Sequence, residues 1–298
     1  MELFKPLAPV IPVFFLIAVG FVFAHWKKIS LAPLTELIVY LGTPSLVFTS
    51  LAGKPLVATD IAVLFAGTVT MFAAVGLLIK LYFFSFRFRS RGFAMPSLFM
   101  NAGNMGLPLA LFAFGQPGMQ RATLLFVIIT SFQYSLGIYI LTGGSNWKEI
   151  FRLPLLYATI AGLSFNLGQV EIPELLFQPL ALLGQSTLPL MLVGLGYRLH
   201  NFQSLQWGHA LGGALLRIFG GFAAAWFAVN LVGAEGVNRQ VLLLYGALPA
   251  AVINFVLTEK YGQDPQLAAS VVVLSTFISV FTIPVVLWLI LYPLKEIS

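Results

Sequence analysis

From about residue 7 to residue 292 the chain alternates ten long apolar runs with short polar breaks, and no break is long enough to fold as a domain of its own. The runs cover approximately 7–25, 31–52, 60–84, 92–114, 121–143, 153–169, 174–197, 207–232, 239–260 and 266–292. A helix needs about 20 mostly apolar residues to cross the hydrocarbon of a bilayer, and the runs are of that order. Soluble domains carry about 25% charged residues. Here the figure is 9%, with 59% hydrophobic residues and a mean hydropathy of +0.95. The pattern predicts an all-α integral membrane protein of ten transmembrane helices, with the lipid bilayer as its solvent. The first run is read as a helix and not as a cleaved leader, because its basic flank, Lys27 and Lys28, follows it.

Composition also removes several classes of chemistry. There is no cysteine, hence no disulfide framework, thiolate metal site or cysteine nucleophile. His25, His200 and His209 all fall near the ends of runs, which speaks against a histidine metal cluster. No nucleotide-binding glycine loop, HExxH or GxSxG occurs, and no soluble segment is large enough to hydrolyse ATP. The chain is therefore not expected to be an enzyme or a primary pump, and no resident cofactor is expected. The net charge of +6 does not call for nucleic acid, because the basic residues cluster in short loops as orientation signals do. In alternate loops they divide nine (Lys27, Lys28, Arg87, Arg89, Arg91, Lys148, Arg152, Arg198, Lys260) against five (Lys5, Lys54, Arg121, Arg239, Lys295). The richer set belongs in the cytoplasm, which places both termini outside it.

The two halves echo each other. Pro44 in the second run corresponds to Pro189 in the seventh, 145 residues later, and Pro108 in the fourth to Pro249 in the ninth, 141 later. A duplicated unit of five helices has an odd number of crossings, so its second copy enters the membrane from the opposite side. Such inverted repeats are common among secondary transporters. The expected organisation is a first repeat over 1–143, a short cytoplasmic linker over 144–152 and a second repeat over 153–298.

Within the fourth run, Asn101, Gly103, Asn104, Gly106 and Pro108 crowd into eight residues and cannot continue a helix quietly. Irregular backbone at membrane depth survives only where protein buries it or a watery cavity receives it. The ninth run repeats the feature with Tyr245, Gly246 and Pro249, followed by Asn254, Thr258 and Glu259. If both helices break and cross, four half-helix ends meet. N-terminal ends suit a carboxylate, and carbonyl ends suit a cation. The residues taken as substrate-binding are Asn101, Asn104, Pro108, Pro249 and Asn254. The same pattern also fits a proline-kinked packing joint with satisfied amides. Thr43 and Ser45 beside Pro44, Gln185 and Thr187 beside Pro189, and Gln133 with Tyr134 in the fifth run are expected to line the same cavity or to pack between helices. Of the charges inside runs, Asp60 reads as a helix N-cap. Glu36 reaches an interface or takes part in transport. Arg217 either snorkels to the surface, meets an anionic substrate, or pairs with Glu259.

The segment NAGNMGLPLALFAFG at 101–115 strongly resembles the fourth-helix signature of the auxin efflux carrier family. LPAAV at 248–252 and AASVVVLST at 268–276 are similar to its ninth and tenth helices, and TPSLVFTSLA at 43–52 to its second. The resemblance implies two inverted five-helix repeats, a fold shared with bile-acid sodium symporters. Helices 1, 2, 6 and 7 would form a scaffold, and helices 3–5 and 8–10 a transport domain in which helices 4 and 9 are broken and cross. It implies transport of small organic anions such as auxin, malate or malonate, binding positions at Asn101, Pro108, Pro249 and Asn254, and a homodimer in the plasma membrane (the bacterial inner membrane). Plant carriers have a long cytoplasmic loop where this chain has only 144–152, which points to a compact prokaryotic member and away from auxin. Two other readings stand beside this one. One is sodium-coupled symport with Asn101, Asn104, Thr258 and Glu259 as cation ligands, the coupling ion being sodium or a proton. The other is a membrane ligand sensor that does not transport.

Overall fold

A computed structural model of the chain describes residues 8–53, 57–144, 151–200 and 206–292. The regular structure of these residues is helical apart from one isolated antiparallel bridge. Fourteen α-helices follow in order: α1 Val10–Trp26, α2 Ala32–Leu37, α3 Thr43–Ala52, α4 Ala58–Phe86, α5 Arg91–Leu98, α6 Leu107–Phe132 and α7 Ile138–Thr142; then α8 Pro154–Leu167, α9 Glu174–His200, α10 Trp207–Leu215, α11 Gly221–Leu231, α12 Gly236–Ala247, α13 Val252–Lys260 and α14 Pro265–Leu291. Single π-helical turns join α2 to α3, lead into α6, join α6 to α7 and join α10 to α11. Among the described residues, six helical stretches are long and apolar enough to cross a membrane; α1 and α8 are shorter apolar helices. The linker over 144–152 falls mostly on residues 145–150, outside the described residues, and the terminal residues on which the orientation reading bears, 1–7 and 293–298, do too.

The breaks follow local chemistry. Gly115 adopts φ 65°, a left-handed conformation that costs glycine nothing, and there the fourth run turns into the fifth. Ser90 starts α5, its Oγ accepting from the Phe93 amide at 3.2 Å. Asp264 starts α14 with Pro265 in the first turn, and Ser90 Oγ donates to Asp264 Oδ2 at 3.2 Å, so the two caps pin α5 to α14. α9 stays helical through Pro179 and Pro189. One expectation is corrected. Asp60 is no N-cap, because α4 begins two residues earlier without a side-chain cap. Its carboxylate instead accepts from Arg121 Nη2 and from Asn238 Nδ2, each at 2.7 Å, tying α4, α6 and α12 together.

Packing sorts the helices into two groups. In one, α1 lies along α9, and α3 lies against α8 and α9. In the other, α14 packs on α5, α10, α12 and α13, while α11 packs on α4 and α12. Lipid removes the hydrophobic drive between helices, so close contact has to hold them. Gly20 meets the backbone of Val193 and Gly196 that of Ile17, so neither position has room for a side chain. Gly196→Leu is expected to cost about 1–3 kcal/mol through overpacking. A lowered melting temperature in detergent reports it, and an unchanged one means that α1 and α9 do not depend on this contact.

Candidate functional site

The two broken segments meet back to back. The chain leaves α5 at Phe99, runs extended through Met100, and enters the π turn Ala102–Gly106 that continues as α6. It leaves α12 at Leu248 and enters α13 after Ala251. Met100 and Ala250 pair as the isolated bridge: the Asn101 amide donates to the Pro249 carbonyl at 2.7 Å, and the Ala251 amide to the Phe99 carbonyl at 3.2 Å. Proline has no N–H to offer, but its carbonyl is free, and here that carbonyl closes the crossing.

Side chains secure the joint. Asn254 is 0% exposed; its Nδ2 donates to the Phe99 carbonyl at 2.8 Å, and its Oδ1 accepts from Gln133 Nε2 at 2.6 Å. The Tyr245 hydroxyl reaches the carbonyls of Ala102 and Ala122 at 3.1 and 3.0 Å. Arg217 is 0% exposed as well. It neither snorkels nor meets Glu259, which is exposed, and its guanidinium donates to backbone carbonyls at the ends of α5 and α12.

A cavity of about 310 Å³ opens on one side of this crossing. Its inner wall is the crossing itself, Met100 to Asn104 and Ala251 to Ile253, together with Thr130, Gln133 and Tyr134. Its outer wall comes from α2, α3, α8 and α9. The first residues of both downstream half-helices, Ala102 to Asn104 and Val252 with Ile253, line this space, so the partial positive charge of two helix N-termini lies at its wall. Asn101 is 3% exposed and its Nδ2 has no hydrogen-bond partner. Arg198 is the charged member of the lining among the described residues; its Nη2 donates to Thr35 Oγ1 at 2.7 Å. No carboxylate lines the cavity among the described residues.

Of the expected site residues, Asn101, Asn104, Thr43 and Gln133 reach the cavity wall, and so does Tyr134. Pro108 is buried behind it at the start of α6. Pro249 contributes its carbonyl to the bridge, and Asn254 braces the crossing from behind. Ser45, Gln185 and Thr187 stand outside the lining: Ser45 is buried within α3, Gln185 is exposed, and Thr187 is turned to Gly42 with its hydroxyl bonded to the Leu183 carbonyl. Thr258 donates to the Phe255 carbonyl and Glu259 is exposed, so the two do not converge with Asn101 and Asn104 as a ligand shell. No group of three or more His, Asp or Glu side chains suited to a metal occurs among the described residues.

Residues 138–287, half of the chain, match the sequence profile of a family described as membrane transport protein. The chain belongs to this family. An uncharacterized transporter of Methanocaldococcus jannaschii is 26% identical over 96% of this chain and 99% of its own length. A putative malonate transporter of Rhizobium meliloti is 26% identical over 94% of each chain. Auxin efflux carrier component 1 of Arabidopsis thaliana is 25% identical over 45% of this chain and 22% of its own. The protein is thus a multi-pass membrane transporter related to the auxin efflux carriers, and not an enzyme. In this transporter the sequence reading missed Arg198 and Thr35. The signal for Arg198 was its spacing: Met191, Gly194, Leu195 and Arg198 follow the i, i+3, i+4, i+7 stripe of one helix face, and all four line the cavity.

Proposed function

We propose that the protein is a secondary carrier of a small organic anion of the mono- or dicarboxylate class, working by alternating access around the crossing. The observation that carries this reading is the charge of the cavity. It joins a guanidinium, two half-helix N-termini and an unpartnered buried carboxamide, with no acidic side chain among the described residues. Buried donors without acceptors are costly, and a carboxylate bound at this wall supplies acceptors to those that face it.

In this reading the ten apolar segments all cross the bilayer as two inverted five-helix repeats. The group containing α1, α3, α8 and α9 is the scaffold, and the group built on α14 carries the crossing between the two faces of the membrane. The name of the Rhizobium relative supports a dicarboxylate among the substrates, and the resemblance to auxin efflux carriers supports a homodimer in the plasma (bacterial inner) membrane. The nine-to-five division of basic residues between alternate loops supports both termini outside the cytoplasm.

The test is uptake of carboxylates into proteoliposomes. Asn101→Ala combined with Asn104→Ala is expected to lower uptake by about 100-fold or more, two lost charge-assisted hydrogen bonds being worth about 1.5–3 kcal/mol each. The variant should elute and melt like the parent in detergent. Unchanged transport would remove both asparagines from the site.

A further inference from the structure

We propose that Arg217 is a resident cation of the crossing: its guanidinium fills the place between the carbonyl ends of two half-helices that a dissolved ion would otherwise have to take. Nη1 donates to the carbonyls of Leu98 at 2.7 Å and Ser97 at 3.3 Å, and Nη2 to that of Gly246 at 2.9 Å. Ser97 and Leu98 end α5, and Gly246 lies one residue before the end of α12. These are the two negative helix ends of the crossing, the opposite pair to the positive ends that face the cavity. Broken membrane helices in carriers use such carbonyl ends to coordinate a coupling cation.

Three independent features show a place built for this group. Its partners are carbonyls alone among the described residues, with no carboxylate to neutralise a charge that is fully buried at a depth where charge is expensive. It projects from the π turn Leu216–Gly220, a local irregularity of the kind found at functional positions. A methyl group on Gly221 would collide with Nη2 and with the Gly246 carbonyl, so the turn that follows Arg217 is notched to admit both the guanidinium and α12. A planar fork with several donors can hold carbonyls from two helices at once, which a single ammonium does less well.

A cation attached to the chain cannot be released on either side of the membrane. No ion is therefore carried stoichiometrically between these helix ends, and Arg217 acts as a positioning residue that makes the two half-helix ends move as one piece. This goes beyond the anion reading and does not need it, since the carbonyl ends demand a cation whatever occupies the cavity.

In proteoliposomes, wild-type carboxylate uptake is expected to be the same with sodium as with choline; a fall of about tenfold or more without sodium overturns the proposal. Arg217→Ala is expected to lose about 100-fold in uptake and to regain about tenfold of it with added guanidinium, but not with tetramethylammonium. Full activity in Arg217→Ala, or a loss that guanidinium does not mend, overturns it. Should that variant fail to fold, Arg217→Lys keeps the charge without the fork. An intermediate, sodium-indifferent flux is then expected, and wild-type flux or acquired sodium dependence counts against the proposal. If the wild type moves no carboxylate, the anion reading fails by itself and melting in detergent still reads Arg217. Guanidinium below denaturing concentrations should then raise the melting temperature of Arg217→Ala and not of the wild type. A rise of the wild type with sodium refutes the resident cation.

Discussion

Arg198→Glu is expected to abolish accumulation of carboxylates, with uptake falling by about 100-fold or more at subsaturating substrate. The guanidinium is the formal charge on a cavity wall that is otherwise apolar or neutral among the described residues. A hydrogen bond to a charged group is worth about 1.5–3 kcal/mol, and each 1.4 kcal/mol is a factor of ten, so loss of the cation alone accounts for about 10- to 100-fold. Glutamate adds repulsion between like charges in a confined space. Arg198→Lys separates charge from shape. It retains attraction but not the two-pronged geometry that matches a carboxylate, and a rise in KM of about tenfold with little change in maximal rate is expected. Thr35→Val removes the partner that steadies Arg198 at 2.7 Å, with a smaller effect in the same direction. The measurement is the concentration dependence of uptake in proteoliposomes. A glutamate variant with the parent's KM would place the substrate away from Arg198 and leave the anion reading without its main support.

The sequence made the crossing legible because its chemistry is local. Asn101 to Pro108 crowds helix-weakening residues together, so the chain breaks at Phe99 to Asn101 and restarts through a π turn, and Pro249 repeats the anomaly at the right distance in the second half. What could not be read was what the freed groups would meet. Arg198 sits near a run end, where a loop anchor is expected, and only the approach of α9 to α2 turns it towards Thr35, 163 residues away in sequence. Arg217 offers the same difficulty in a sharper form. Its three carbonyl partners are freed by helix ends 119, 120 and 29 residues distant, and nothing beside it in the sequence records that those ends converge. Asp60 shows a local rule overruled: the position suits a cap, but an arginine 61 residues on offers a charged partner. At Pro189 and Gln185 the local rule said too much. A membrane helix can pass through a proline when its neighbours and hydration re-satisfy one carbonyl, and the polar residues beside it then owe nothing to a cavity.

Asn254→Leu is expected to damage transport without weakening substrate binding, the reverse of the pattern at Asn101. Asn254 was read from the sequence as a binding residue, yet it is 0% exposed and outside the cavity lining. Both ends of its carboxamide are spent, on the Phe99 carbonyl and on Gln133 Nε2. Phe99 is the residue at which the chain leaves α5, and Gln133 opens the π turn at the end of α6. Leucine keeps the branched four-atom outline with bulkier methyl ends, so the change opens no space but strands the Gln133 amide and takes one donor from Phe99. Each unsatisfied buried group costs about 1–3 kcal/mol. The crossing loosens as a unit, so the melting temperature and the maximal rate should both fall, the rate by about tenfold. KM should change by less than about twofold, because no group that faces the substrate is removed. Asn101→Ala should instead raise KM at nearly constant stability. If the two variants raise KM alike, Asn254 touches the substrate in a state of the cycle other than this one, and the crossing opens further during transport than its present hydrogen bonds allow.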